Sequence, residues 1–238
     1  MGMNMQSIIK DIVYTNSEYF DVLEIFLEEQ ERYGIDKDEI CILANKKFNE
    51  KNQHIIYDDS LIYSERLIQC LEKINSEYIF YQHEDMFLYS KPDFKKINDY
   101  INFLSNSKYS FIRLCRTGNL KVQKIKEIDC LYEITNGSSD FFAVQPTIWK
   151  KQKFIDFLKL FPKSSIWELE IKSQEISQKN VIQGLIHFDN ENKRGGHYDS
   201  NIWPYIATAI VKGKWNFSEY KIELEKIKKI SNSLRDKI

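Results

Sequence analysis

The fold class is indicated first by residues 7–34, SIIKDIVYTNSEYFDVLEIFLEEQERYG. Up to Tyr14 they carry β-branched side chains without strict alternation, which is typical of a strand covered on both faces. Thr15 and Glu18 have the spacing of a capping box at a helix start, and Gly34 is a helix stop signal. Between them, apolar residues recur at helical spacing, namely Phe20, Leu23, Phe26 and Leu27. This stretch therefore predicts a strand followed by a crossover helix.

The same unit recurs farther along the chain. Three short apolar runs predict further strands, and an apolar stripe predicts a helix before the last of them. The runs are Ile40–Ala44, His54–Tyr57 and Tyr78–Tyr81, and the stripe is Leu67, Leu71 and Ile74. Strands that alternate with helices indicate parallel βαβ units, whose ligands collect at the carboxyl ends of the strands. The loop after Tyr81 is therefore the first place to expect a site.

The second half predicts a mixed sheet. The alternating pattern of Tyr109–Ile134 indicates antiparallel strands. Phe141–Gln145 is predicted to be a further strand, and Thr147 is predicted to cap the helix that follows it. Ser165 and Glu168 again have capping-box spacing. Apolar stripes predict helices at Ile97, Ile101 and Leu104, at Phe154, Phe157, Leu158 and Phe161, and in a tail at Ile227, Ile230, Leu234 and Ile238, where Glu225 pairs with Lys229. The predicted fold class is α/β, one domain with a central, mixed, mostly parallel sheet flanked by helices.

Composition excludes two classes of partner. The 238 residues include 34 Lys and Arg against 35 Asp and Glu, so no large field attracts a nucleic-acid backbone. No apolar run reaches the ~18 residues of a transmembrane helix. Four widely spaced cysteines without a CxxC pair suit a reducing compartment, so a cytoplasmic location is expected. They are Cys41, Cys70, Cys115 and Cys130.

The strand that begins at Tyr78 ends in three side chains that could form a catalytic or metal site. The run YIFYQHEDMF, residues 78–87, is apolar except for Gln82 and the group His83, Glu84 and Asp85. Ionised carboxylates within apolar sequence need a cation, hydrogen bonds or a metal ion. Oxygen sites for Mg²⁺ or Mn²⁺ often use one or two protein carboxylates and leave positions for water and phosphates. The alternative is a strand end whose acids are solvated, and His83 is more often a hydrogen-bonded neighbour than a ligand.

Four segments resemble nucleotide-sugar glycosyltransferases with a GT-A fold. Residues 59–88, DSLIYSERLIQCLEKINSEYIFYQHEDMFL, match a helix, a strand and the acidic motif. FFAVQPTIWKKQKFIDFL (Phe141–Leu158) is similar to the acceptor-side segment of bacterial, phage and giant-virus members. The W-E-x-E motif (Trp167–Glu170) and IVKGKW (Ile210–Trp215) follow in order. The resemblance implies one glycosyltransferase domain, with a nucleotide-binding half at 1–90, an acceptor-side half at 91–217 and a C-terminal helix at 218–238.

The resemblance also implies site residues. Its acidic metal motif falls on Asp85 as a direct ligand of Mn²⁺ or Mg²⁺ and on Glu84 acting through water. The motif here is xED rather than Asp-x-Asp. The loop Asn190–Ser200, with two glycines, has the composition of a mobile loop over an active site. Within it His197 is a candidate third ligand, or the loop is an ordinary surface excursion.

An inverting transfer needs a carboxylate as general base, and Glu168 and Glu170 are the candidates. The alternative for Glu168 is a capping-box residue that only satisfies the helix start. Trp167 beside it can stack on a sugar, although a tryptophan at helical spacing is more often in the core, as is expected for Trp149. His187, inside the predicted strand Val181–Phe188, is expected to be a satisfied core histidine.

The nucleoside edge is expected at the ends of the first and third strands. Tyr14 and Thr15 follow the first strand, where this fold holds the base and ribose, and Thr15 is equally explained as a helix cap. Asp58 and Asp59 end the third strand, or are simply solvated turn residues. Arg66 is a candidate hydrogen-bond donor to a phosphate group, or it is an ordinary surface arginine.

The predicted function is therefore transfer of a sugar from a UDP- or GDP-sugar to the hydroxyl of a glycan or lipid-linked acceptor. The alternative from another class is a non-catalytic carbohydrate-recognition or interaction module. A nucleotidyltransferase is disfavoured, because such enzymes usually have a glycine-rich, basic loop after the first strand and YTNSEYFD, residues 14–21, has neither glycine nor lysine.

Overall fold

In the computed structural model, which describes residues 9–118, 120–135, 137–177, 182–227 and 230, strands and helices alternate through the first half of the chain. In order they are β1 (Ile9–Tyr14), α1 (Phe20–Arg32), β2 (Cys41–Ala44), β3 (His54–Ile56), α2 (Tyr63–Leu71), β4 (Tyr78–His83) and α3 (Phe94–Ser105). A short 3-10 turn at Ser17–Tyr19 leads into α1. The predicted βαβ units are confirmed.

The second half adds antiparallel strands and two small hairpins. The elements are β5 (Phe111–Arg113), β6 (Val122–Lys124), β7 (Leu131–Ile134), β8 (Thr147–Lys150), α4 (Lys151–Leu160), α5 (Ile166–Ser177), β9 (Gly184–His187), β10 (Lys193–Arg194), β11 (His197–Tyr198), β12 (Ile210–Val211), β13 (Lys214–Trp215) and α6 (Lys221–Glu225). Strands β10 and β11 pair with each other, as do β12 and β13.

Over the described residues, the main sheet has nine strands in the order β3-β2-β1-β4-β8-β5-β9-β7-β6. The first four are parallel neighbours, and β8 runs antiparallel to both β4 and β5. Strands β5 and β9 are parallel, and β7 pairs antiparallel with β9 and β6. Only β8 and β7 therefore oppose the common direction. The predicted α/β class, with a mixed and mostly parallel sheet, is confirmed.

Helices cover both faces of this sheet because successive strand residues point to opposite sides. Val13 packs in one core with Phe26 of α1 and Leu104 of α3. Its neighbour Ile12 packs in the other core with Leu67 of α2. Phe154, Phe157 and Leu158 of α4 and Leu169 of α5 extend this second core. The β1 strand is therefore buried on both sides, as its non-alternating sequence predicts.

Two predicted boundaries are wrong in the stretch before α4. Phe141–Gln145 is irregular, and the strand is Thr147–Lys150, so Thr147 starts β8 and does not cap a helix. Phe141 is buried and packs against Phe111, with ring centroids 5.6 Å apart. Burial without a strand ladder gives the same apolar pattern as a strand, which is why the pattern misleads here.

The predicted helix starts have mixed outcomes. At the first, the amide of Thr15 still donates to the carbonyl of Leu43 at 3.0 Å, so Thr15 belongs to the sheet edge. Asn16 is the cap instead, and its side chain accepts from the amide of Glu18 at 3.0 Å. The second capping box is confirmed, because the Ser165 amide donates to the Glu168 carboxylate at 2.8 Å.

Other predictions in the second half are confirmed in part. The β6–β7 pair within Tyr109–Ile134 is antiparallel, whereas β5 also pairs in parallel with β9. The tail helix is described only as α6, and Ile227 and Ile230 are buried. Lys229, Leu234 and Ile238, with the predicted Glu225–Lys229 pair, lie outside the described residues. No helix within the described ranges is both long and apolar enough to cross a membrane.

Candidate active site

A cleft of about 840 Å³ opens at the carboxyl ends of β1 and β4. The last residues of these strands, Tyr14 and His83, are register partners, and their rings lie 5.3 Å apart. Both line the cleft, together with the loop before α2, the start of α5 and the β12–β13 turn. This is the edge at which ligands of α/β sheets bind, and the volume is in the range of small-molecule sites.

The acid pair follows β4 directly. The amide of Met86 donates to the carbonyl of His83 at 3.2 Å, so Glu84 and Asp85 lie in a tight turn that ends the strand. Both acids line the cleft, and Glu84 is only 8% exposed. Burial raises the pKa of Asp85 to about 6. A carboxylate in this environment is stabilised by a nearby cation.

The donor set suits a metal ion that is shared with a ligand. Within the described ranges, no three His, Cys, Asp or Glu side chains form a group that could hold a metal ion. Glu84 and Asp85 nevertheless supply the one or two carboxylates with which Mg²⁺ or Mn²⁺ sites anchor an ion, the remaining positions going to water and phosphate oxygens. The residues present therefore fit an ion completed by substrate rather than an all-protein cage.

Buried aromatic side chains surround His83. Its Nε2 lies 3.1 Å from the Tyr63 hydroxyl and 2.5 Å from the Tyr81 hydroxyl, and these two hydroxyls also contact each other. Burial lowers the pKa of His83 to about 3, so the imidazole is neutral at physiological pH. His83 is thus the hydrogen-bonded neighbour that was the expected alternative to a ligand.

The side of the cleft formed by β1 and the loop before α2 is lined by stacked tyrosine rings and an arginine bonded to its neighbours. Tyr14 stacks on Tyr57, with ring centroids 5.3 Å apart and planes 8° apart. Arg66 donates to the carbonyls of Leu61 at 2.6 Å and Asp59 at 2.5 Å, and its Nη2 lies 3.1 Å from the Asp59 carboxylate. The positive charge of Arg66 is therefore already compensated within the protein.

Of the predicted nucleoside contacts, four line this cleft and one does not. Tyr14, Thr15, Asp59 and Arg66 line it, with Glu84 beside them. Asp58 does not: its carboxylate accepts from the amide and hydroxyl of Ser60 at 2.9 and 2.7 Å, the arrangement of an Asx turn. The structure brings the first group together, and Asp58 stays a prediction.

Neither of the two candidate bases lines the cleft. Ser165, Ile166 and Trp167 line the cleft, whereas Glu168 and Glu170 do not. The backbone and side-chain hydrogen bonds from Ser165 lower the pKa of Glu168. Burial raises the pKa of Glu170, which accepts from the Val144 amide at 3.0 Å. Their catalytic role remains a prediction.

The predicted late loop is a hairpin away from the cleft lining. His197 begins β11, forms an isolated bridge with Thr117, and does not line the cleft. Burial lowers its pKa, and its Nδ1 has no hydrogen-bond partner within the described chain. Its role as a metal ligand remains a prediction. His187 is a satisfied core histidine, as expected, because it contacts the Tyr100 hydroxyl at 2.9 Å and Glu191 at 2.8 Å.

No protein-family model matches this chain. The curated proteins give no match either. Among solved structures, it is similar to a CMP:2-keto-3-deoxy-manno-octonic acid synthetase complexed with CTP, at 10% identity and a TM-score of 0.49, over 80% of this chain and 92% of that one. It is also similar to residues 1–349 of TarS from S. aureus, at 12% identity and a TM-score of 0.48, over 82% and 60%.

A third similar structure is the bifunctional IspDF from Campylobacter jejuni, at 16% identity and a TM-score of 0.40, over 70% of this chain. This chain spans only 47% of that protein's length. These similarities concern the fold alone. Sequence identities of 10%, 12% and 16% carry no information about the reaction of this chain.

Sequence patterns leave Trp167 open between sugar stacking and the core, and they do not single out Lys212. Trp167 is 75% exposed and lines the cleft, although an apolar residue in a helix suggests core packing. Lys212, at the turn between β12 and β13, also lines it. Its segment, IVKGKW, carries a usable signal: a lysine before a glycine between two short strand runs, which is typical of a hairpin turn.

Proposed function

We propose that this chain is a glycosyltransferase that moves the sugar of a UDP- or GDP-sugar to a hydroxyl group of a glycan or lipid-linked acceptor. The observation that carries the proposal is the pair Glu84 and Asp85, which ends a central parallel strand inside a cleft of about 840 Å³. Transfer requires stabilisation of the leaving diphosphate, and an acid pair at this edge is suited to anchor the positive charge that does so.

Asp85 is the proposed direct ligand of Mn²⁺ or Mg²⁺, with Glu84 acting through water. When bound, such an ion supplies Lewis-acid stabilisation of the departing diphosphate. The raised pKa of Asp85 supports this role, because burial makes its ionised form costly without a cation nearby. Tyr14, Thr15 and Asp59 form the proposed base and ribose edge, and Arg66, the proposed donor to a phosphate, is held against Asp59.

The acceptor is proposed to enter past Trp167. An indole ring that is 75% exposed at a cleft mouth offers an apolar platform for a sugar face. Of the two candidate bases, Glu170 suits proton removal better, because burial raises its pKa while the capping box lowers that of Glu168. Neither carboxylate lines the cleft, so the start of α5 would have to move for either of them to reach an acceptor there.

Two other functions make different predictions. A nucleotidyltransferase would release pyrophosphate from a nucleoside triphosphate, but the loop after β1, residues 15–17, offers no glycine or lysine to hold a triphosphate. A carbohydrate-binding module would give no nucleotide-dependent stabilisation. A ligand at 100 times its Kd stabilises the native state by about 2.7 kcal/mol, which shifts the melting temperature by roughly 5–10 °C at this size.

The testing experiment is a screen of nucleotide-sugar hydrolysis with added Mn²⁺, using the native chain and Asp85→Ala. We expect the variant to fold but to lose at least about tenfold in rate, the lower end of what one transition-state charge contact supplies. Asp129→Ala is the matched control, because that side chain is 92% exposed and lies outside the cleft. Equal turnover of Asp85→Ala and the native chain would remove Asp85 from the mechanism. Pyrophosphate release from a nucleoside triphosphate would favour the nucleotidyltransferase.

A further inference from the structure

The β12–β13 hairpin brings a lysine to the cleft. Its turn is formed by Lys212 and Gly213, both of which line the cleft, as does Ile210 at the start of the hairpin. Both turn residues have positive φ angles, 51° and 76°. A non-glycine residue with such an angle is uncommon, and strained positions of this kind cluster at functional sites. The two angles together are those of a two-residue hairpin turn, which holds the backbone of Lys212 at the cleft.

The hairpin is fixed to the segment that follows the acid pair. Trp215 is fully buried and stacks on Phe87, with ring centroids 5.6 Å apart. The Ile206 amide donates to the Phe87 carbonyl at 2.8 Å, and the Tyr89 amide donates to the Pro204 carbonyl at 3.0 Å. Because Phe87 is two residues from Asp85, the hairpin and the acid pair share one packed support.

The two cations of the described cleft lining differ in their partners. Arg66 is held by the carboxylate and carbonyl of Asp59, so its charge is compensated. Lys212 is exposed, and its side chain has no hydrogen bond or ion pair with any described residue. Its ammonium group is therefore available to an anionic ligand in the cleft. The other charged side chains of the described lining are Glu84, Asp85 and the Arg66–Asp59 pair, whose charges compensate each other.

We propose that Lys212 binds the diphosphate of the donor and takes up the charge that develops on it during transfer; this rests on the proposed function. In that step the acceptor oxygen bonds to the anomeric carbon and gives its proton to a carboxylate. The bond from the anomeric carbon to the β-phosphate oxygen breaks, and its electron pair stays on that oxygen. The Lys212 ammonium keeps its proton and pairs with the added negative charge.

The test measures binding of UDP, UMP, GDP and GMP by calorimetry at fixed Mg²⁺, without turnover. Lys212→Ala should weaken binding of the preferred diphosphate roughly tenfold, the effect of losing one charge-assisted contact, and binding of its monophosphate much less. Lys212→Arg should restore most of the affinity. Lys214→Ala is the matched control, because this exposed lysine lies in the same hairpin but does not line the cleft.

The outcomes separate this inference from the function on which it rests. Native affinity for the diphosphate in Lys212→Ala would overturn the role of Lys212 and leave the proposed function standing. An equal loss for diphosphate and monophosphate would also overturn it, because the lysine would then not act on the β-phosphate. A native chain that binds none of the four nucleotides would overturn the proposed function itself, and this inference with it.

Discussion

The hairpins β10–β11 and β12–β13 have similar residue compositions, but their basic side chains make different contacts. Each carries two basic residues and a turn with glycine. In the first, Arg194 pairs with Asp199 at 3.1 Å and with Glu223 at 2.8 Å, and its guanidinium lies 4.6 Å from the centre of the Tyr220 ring. In the second, Lys212 pairs with no described residue and lines the cleft. A cation with fixed counter-ions holds the fold together, whereas one without them is free to serve a ligand.

The turns themselves show the same contrast. A Cβ atom at Gly195, in the first hairpin, would lie 1.9 Å from the Glu219 carboxylate, so the end of this side chain lies against the turn. The turn of the second hairpin instead faces the cleft. The first hairpin is bound to the rest of the chain through the ion pairs of Arg194. The second lines the cleft with its turn, while Trp215 anchors it to Phe87. Three variants test whether the two hairpins differ in this way.

The largest effect is expected at the anchor of the second hairpin. Trp215→Ala should cost about 3–5 kcal/mol of unfolding free energy, because a large, fully buried aromatic side chain leaves a cavity against Phe87. Urea unfolding followed by circular dichroism measures this cost. Trp167→Ala is the control, since a side chain that is 75% exposed should change stability by no more than about 0.5 kcal/mol. Similar losses in both variants would mean that the hairpin is not anchored through Trp215.

An intermediate effect is expected in the first hairpin. Arg194→Ala should lower the unfolding free energy by about 1–2 kcal/mol, less than fully buried pairs would give, because solvent screens this partly exposed side chain. Its effect on diphosphate affinity should be negligible, the reverse of Lys212→Ala. Urea unfolding and calorimetry on the same preparations give both numbers. Lys193→Ala, an exposed neighbour in the same strand, controls for the loss of one positive charge. If Arg194→Ala weakened diphosphate binding as much as Lys212→Ala, the distinction between the hairpins would collapse.

Local sequence signals predict much of the nucleotide side of the cleft. The strand from Tyr78 and the acids that end it are adjacent in sequence, and parallel βαβ order brings Tyr14 and His83 to the same edge. The Ser165–Glu168 capping box is likewise readable, because its hydrogen bonds span three residues. In each case the interaction that fixes the geometry is local or follows from the strand direction.

The position of Lys212 depends on contacts that no local pattern contains. Its hairpin packs through Trp215 on Phe87, more than a hundred residues earlier in the chain. Composition instead favours the loop with His197, because two glycines and mixed charge are typical of active-site loops. Helical periodicity also fails for α5, which has two stripes at four-residue spacing. Leu169 and Ser173 face the core, and the more apolar Trp167 and Ile171 are exposed.

The smallest effect concerns the strain at Lys212 itself. Positive φ angles at both central residues are the pattern of a type I′ turn, which strongly prefers Asn-Gly. Lys212→Asn should therefore raise the unfolding free energy by roughly 0.5 kcal/mol, since asparagine tolerates the left-handed region better than lysine does. It should at the same time weaken diphosphate binding about as much as Lys212→Ala. Paired urea unfolding and calorimetry test both signs, with Lys214→Asn as the strand control. A rise in stability together with a loss of affinity would indicate that lysine occupies this turn for binding at the expense of folding, whereas a fall in stability would mean that the lysine stem supports the hairpin and that the second hairpin is structural like the first.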